Sequence, residues 1–178
     1  MRSVIINGRM YIFSNLSSEG ASRLGGNSII KIVDLNLRRI FSVDLTKSRN
    51  ENKPSSTRVN YSMASFKNKV YLYGGMDQDS KILDSLDEFD VTTYKFNQVK
   101  FRGDFKPKGR QAHCAFAFDQ YNMFVFGGTY QTNLIDPAQI SDETNQILNY
   151  DMDASTFASV SLTSNDNKPQ NLIFPSAF

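Results

Sequence analysis

The sequence predicts an all-β chain built from repeated four-stranded antiparallel sheets, and three observations carry that prediction. An apolar hairpin pattern recurs at 3–15, 61–75 and 113–128. Two of these hairpins end in a glycine pair, "VYLYGG" at 70–75 and "MFVFGG" at 123–128. No stretch shows the 3.6-residue spacing of an amphipathic helix. The composition agrees: 40% of the residues are hydrophobic, with 14 Phe and 8 Tyr, enough large side chains to fill a core.

Each hairpin is an apolar run, a short polar turn and a second run rich in aromatic and β-branched residues. The turns are placed at Asn7-Gly8, Lys67-Asn68-Lys69 and Asp119-Gln120-Tyr121-Asn122. Asn-Gly is the strongest of the three signals, because both of its residues accept positive φ. A polar loop follows each hairpin, then a second strand pair at 29–45, 86–101 and 146–162. Asp34, Asp90 and Asp151 close the third strand of each set, where a carboxylate can accept bonds from the amides of the next turn. Phe41, Phe96 and Phe157 follow on the fourth strand, seven, six and six residues later, and are expected to pack between neighbouring sheets. Polar, Pro-containing linkers lead to Arg58 and Arg110, which open the next hairpins.

The repeat units fall at approximately 1–57, 58–109 and 110–169, with 170–178 beginning a further strand. Four short strands per unit and no helical period are the pattern of a propeller blade. Such a sheet cannot bury both faces alone and must stack on neighbours around an axis. The glycine pair is expected where the second strand leaves the sheet near the crowded centre. There positive φ and close backbone approach exclude other residues.

This constellation resembles the kelch repeat, across essentially the whole chain. The second unit carries the pattern as Arg58, Gly74, Gly75, Phe89, Asp90 and Phe96, and the third as Arg110, His113, Gly127, Gly128, Tyr150, Asp151 and Phe157. The first unit departs from it: Ser14-Asn15 replace the glycines and Val33 replaces the aromatic before Asp34. Phe stands where the family has Trp. The resemblance implies a β-propeller of kelch type with more than three blades. The expectation is therefore a partial propeller, completed by further sequence, by self-association into a six-bladed ring or by pairing with another chain.

Little in the sequence suggests catalysis. His113 is the single histidine and reads as a structural strand residue. No Cys/His metal spacing or phosphate-binding loop is present. Asp77, Asp79 and Asp84 lack the glycine and terminal Glu of a calcium loop. We expect no catalytic residue, no metal and no cofactor. The net charge of +2 shows no basic cluster, which argues against nucleic acid. The start of the chain is too broken by polar residues for a signal peptide or a membrane span. With one cysteine, Cys114, a reducing, cytoplasmic setting is expected.

Kelch proteins commonly serve as scaffolds or adaptors, so the resemblance implies a non-catalytic protein-binding role. In a four-stranded blade the strand two-to-three connections share a face with the links between blades. These are the long segments here, at 14–28, 76–85 and 129–145 and at 46–57, 102–109 and 163–171. Binding residues concentrate on loops held by a rigid scaffold. The candidates on this face are Arg23, Lys47, Arg49, Lys106 and Lys108, whose charge suits an acidic peptide or segment, with Met76 and Tyr130 just after the glycine pairs. The alternative is a small-ligand, carbohydrate-binding or oxidase-like propeller whose site lies in blades outside these three.

Overall fold

A computed structural model describes residues 2–14, 29–45, 54, 55, 57–130 and 146–160, and these form three four-stranded antiparallel sheets. The first contains β1 (Arg2–Ile6), β2 (Arg9–Phe13), β3 (Ile29–Asp34) and β4 (Arg39–Asp44). The second contains β5 (Ser62–Phe66), β6 (Lys69–Tyr73), β7 (Leu86–Asp90) and β8 (Lys95–Gln98). The third contains β9 (Cys114–Ala117), β10 (Asn122–Phe126), β11 (Ile147–Asp151) and β12 (Thr156–Val160). Within each sheet the strands pair in chain order. The strand expected at 170–178 lies outside the described residues.

Local sequence sets the turns. Asn7 and Gly8 both take positive φ, 50° and 72°, as a two-residue hairpin whose twist matches its strands requires. Asp34 Oδ1 accepts from the amides of Asn36 and Leu37 at 3.1 and 2.9 Å. Asp90 Oδ1 accepts from Thr92 and Thr93 at 2.7 and 3.2 Å. Asp151 Oδ1 accepts from Asp153 and Ala154 at 2.9 and 2.8 Å. The Leu37 amide, followed by Arg9, holds the Asp34 carboxyl below the usual carboxylate range, and the Thr92 hydroxyl, followed by the Thr92 and Thr93 amides, does the same for Asp90.

The cores lie between sheets. One joins Tyr11, Phe13, Ile30 and Ile32 of the first sheet to Met63, Val70, Leu72, Phe89 and Phe96 of the second. The other joins Ala64, Tyr71, Tyr73 and Leu86 of the second sheet to Met123, Val125, Tyr150 and Phe157 of the third. Directly opposed residues in antiparallel strands share a face, so each sheet has one face toward its predecessor and one toward its successor. The closest strand approaches between sheets are β1 to β5 and β5 to β9. First strands meeting first strands is what a radial array of propeller blades produces.

Phe96 and Phe157 are buried in the cores between blades. Phe96 packs on Phe89 at 4.8 Å and Phe157 on Tyr150 at 4.9 Å, between ring centroids. Phe41 departs from this pattern. Register pairs Phe89 with Phe96 and Tyr150 with Phe157, but Val33 with Ile40. Ile40 therefore holds the equivalent place, and Phe41 lies on the opposite face, 38% exposed, beneath the Arg9 guanidinium. The extra residue between Asp34 and Phe41 inverts the side, because side chains alternate along a strand.

Candidate functional site

The long-connection face is organised around two buried arginines. Arg58 precedes β5 and is fully buried. Its Nη1 donates to the carbonyls of Leu72, Gly74 and Ser85 at 3.1, 3.2 and 3.4 Å. Its Nη2 donates to Asp87 Oδ2 at 2.9 Å, in an ion pair with both side chains at 0% exposure. Burial works against the guanidinium charge and Asp87 opposes that effect. Arg110 repeats the arrangement before β9: Nη1 donates to the Gly127 and Gln146 carbonyls, each at 3.2 Å, and Nη2 to the Tyr130 hydroxyl at 3.3 Å. Each arginine thus clamps the end of the second strand to the start of the third.

The glycine pairs sit under these clamps. Gly74 and Gly75 have φ of 62° and 93°, and Gly127 and Gly128 have 70° and 87°. A Cβ on Gly75 would fall 2.5 Å from the Val59 carbonyl oxygen, and one on Gly128 2.5 Å from that of Gln111. The Gly75 amide donates to the Arg110 carbonyl at 2.8 Å, tying the second blade to the third.

Beyond the glycines, the strand two-to-three connections pair with the interblade segments. Val59 bridges to Met76 and Gln111 to Thr129, which places both kinds of segment on one face. Thr129, rather than Tyr130, is therefore the counterpart of Met76. Met76 is half-buried within its bridge. Tyr130 is half-buried, with Lys108 Nζ 5.8 Å and Arg110 Cζ 5.5 Å from its ring centre. Lys108 is exposed, and its carbonyl accepts from the Tyr73 hydroxyl at 3.1 Å.

The structure brings Lys108 and Tyr130 together and places Lys106 elsewhere. The segment after β8 turns back along β12, where Arg102 donates to the Ser155 carbonyl at 2.8 Å. Lys106 Nζ donates to the Gly103 carbonyl at 3.3 Å in that same stretch, beside the β11–β12 turn. Phe101 draws the segment in, packing on Phe157 at 4.9 Å, and Phe105 joins the same core. Arg23, Lys47 and Arg49 lie outside the described residues.

Asp87 is the residue that sequence reasoning missed. Its register opposite Leu72 puts it on the face that buries Phe89 and Val70, and a charge at an apolar parity position is a sign of a buried partner. The third blade has Leu148 at the equivalent position, opposite Val125.

His113 also belongs to this clamp. It is fully buried against Tyr73 at 5.4 Å, and a Cβ on Gly74 would lie 2.8 Å from its Cε1. Burial holds its pKa well below the usual histidine value, and the Arg110 charge adds to this. The folded chain therefore keeps His113 neutral while the unfolded chain takes up a proton below about pH 6.5. Stability present above that pH is lost as the pH falls through it. Lowering the pH from 7.5 to 5.5 is expected to cost about 1.4 kcal/mol through this group. Urea unfolding of the wild type and His113→Phe at both pH values checks this, and an equal decline in the variant would assign the loss to other groups.

Among the described residues, no group of three or more His, Cys, Asp or Glu side chains could hold a metal ion, and no helix is long and apolar enough to cross a membrane. Comparison with curated proteins found no match. A family model described as the KLHDC2/KLHL20/DRC7 Kelch-repeats domain matches residues 1–172. That span includes all three sheets, both arginine clamps and both glycine pairs, and the chain belongs to this kelch-repeat family.

Proposed function

We infer that the chain is a non-catalytic protein-interaction module, working as a scaffold or adaptor in a reducing, cytoplasmic setting. It binds an acidic segment of a partner protein on the face that carries the long connections. Kelch-repeat domains generally mediate protein–protein contacts, which supports this class of function. The observation that carries the choice of face and ligand is the group formed by Lys108, Tyr130 and Arg110. An exposed ammonium stands over a half-buried aromatic ring whose hydroxyl is fixed from below by a buried guanidinium. A rigid aromatic held in place by a buried charge loses little entropy on binding, and a neighbouring lysine selects carboxylates. Arg23, Lys47 and Arg49 would extend the basic character of this surface.

The test is fluorescence polarisation with a pool of Asp- and Glu-rich peptides at low and moderate salt. Lys108→Glu and Tyr130→Ala are each expected to weaken binding about tenfold, with a steeper salt dependence in the wild type than in Lys108→Glu. Peptide binding unaffected by either change would overturn the assignment.

A further inference from the structure

We propose that Asn7 is a site of spontaneous covalent modification, where the side-chain amide is exchanged for a carboxylate and part of the product is isoaspartate, which loosens the first hairpin. Three observations meet at this residue. Asn7 is the one asparagine in the chain that precedes a glycine. It is exposed, and with Gly8 it makes the whole of the turn between the paired residues Ile6 and Arg9. The Gly8 carbonyl accepts from the Leu35 amide at 2.9 Å, whereas the Gly8 amide donates to no acceptor among the described residues.

The reaction needs each of these features. The Gly8 nitrogen, once deprotonated, attacks Asn7 Cγ and forms a new C–N bond. The bond from Cγ to Nδ2 breaks, and the side-chain nitrogen takes protons from water and leaves as ammonia. A succinimide ring remains, with the Gly8 nitrogen joined to both carbonyl carbons of Asn7. Water then opens the ring. Cleavage at Cγ gives aspartate, and cleavage at the main-chain carbonyl gives isoaspartate, whose main chain runs through Cβ. One water enters, one ammonia leaves, and nothing is oxidised or reduced. A side chain on residue 8 would crowd the attacking nitrogen, and an acceptor on its N–H would hold back the proton that must be lost.

Other asparagines in turns lack these features. Leu37 follows Asn36, and its amide is held by Asp34 Oδ1 at 2.9 Å. Met123 follows Asn122, whose side-chain amide is fixed on the two Asp119 oxygens at 3.1 and 2.9 Å.

The fold also supplies a brake and a consequence. Asn7 Nδ2 donates to Asn68 Oδ1 at 2.9 Å, from the first blade to the turn between β5 and β6. Nδ2 is the leaving nitrogen, so this bond has to break during the reaction. In the isoaspartate product the main chain gains a carbon inside a two-residue turn. The Ile6–Arg9 register then no longer closes, and the Gly8 carbonyl moves away from Leu35. The turn lies at the end of β2 opposite its connection to β3, so the modification is independent of the acidic-peptide site.

The test is incubation of the folded chain at neutral and mildly alkaline pH, followed by peptide mapping by mass spectrometry. The exchange of NH2 for OH is expected at Asn7 before any other asparagine. Its rate is expected to rise about tenfold per pH unit, with the deprotonated fraction of the attacking amide. An isoaspartyl-specific methyltransferase is expected to label the peptide containing residue 7. Hydrogen exchange at the Leu35 amide is expected to be faster in aged than in fresh protein. Asn68→Ala is expected to speed the reaction about threefold, the low end of what one hydrogen bond holds back. Exchange at Asn7 no earlier than at other asparagines, or aspartate formed there without isoaspartate, would overturn the proposal. An unchanged rate in Asn68→Ala would overturn the part given to Asn68.

Discussion

Asp87→Leu is expected to lower the unfolding free energy by about 3 kcal/mol, the lower end of the cost of breaking a buried ion pair. The substitution leaves the Arg58 guanidinium at 0% exposure without its carboxylate. The Leu72, Gly74 and Ser85 carbonyls continue to accept from it, and this keeps the loss from the upper end of the range. The Ser55 amide also loses its acceptor, a 2.9 Å bond to Asp87 Oδ2. The third blade shows a workable alternative: Leu148 fills the equivalent place, and Arg110 is met by two carbonyls and the Tyr130 hydroxyl. Arg58→Met combined with Asp87→Leu is accordingly expected to recover only part of the stability: no charge is left unpaired, but the Leu72, Gly74 and Ser85 carbonyls lose the donor that clamps them. Urea midpoints at constant m-value read both effects. A loss below about 1 kcal/mol in the single variant would show that the buried pair does not behave as its geometry requires.

Gly75→Ala is expected to be comparably damaging, at about 3 kcal/mol, through backbone strain and a forced displacement together. At φ 93° an L side chain is strained whatever the space around it. The added Cβ would also fall 2.5 Å from the Val59 carbonyl oxygen and 3.0 Å from Tyr61 Cβ. Moving either disturbs the Val59–Met76 bridge, with its two 2.9 Å bonds, and the 2.8 Å bond from the Gly75 amide to Arg110 that links two blades. Gly103→Ala is the control. Gly103 also has positive φ, 77°, but its nearest neighbour would be Thr156 Cγ2 at 3.7 Å, an ordinary contact. That variant is expected to lose about 1 kcal/mol, the conformational cost alone. Equal thermal-unfolding shifts in the two variants would remove close approach as the reason for the glycine pair.

The chemistry of the long-connection face was legible only in part. Lys108 and Tyr130 fall on it together, but a basic residue two positions earlier does not. Lys106 is carried off because Phe101 and Phe105 enter the core between the second and third blades. Nothing in the charge pattern of 102–109 reveals that dip, since it depends on space left between two sheets distant in sequence. The Asp87 partner was obscured for the same reason: the carboxylate and Arg58 are 29 residues apart and meet only once β5, β6 and β7 are aligned. The displaced Phe41 could have been read from its seven-residue distance to Asp34, which is odd where the other two blades have six.

By itself the sequence determined the strands, their turns and the family. Alternating side chains, an Asn-Gly turn, and Asp34, Asp90 and Asp151 bonding amides two and three residues ahead are all local. Their energetics are written within a few residues. The tertiary structure alone decided which faces of the blades meet, that Arg58 finds Asp87, and that Lys106 leaves the long-connection face. Those outcomes depend on the stacking of whole sheets, where contacts between residues tens of positions apart compete for the same buried surface.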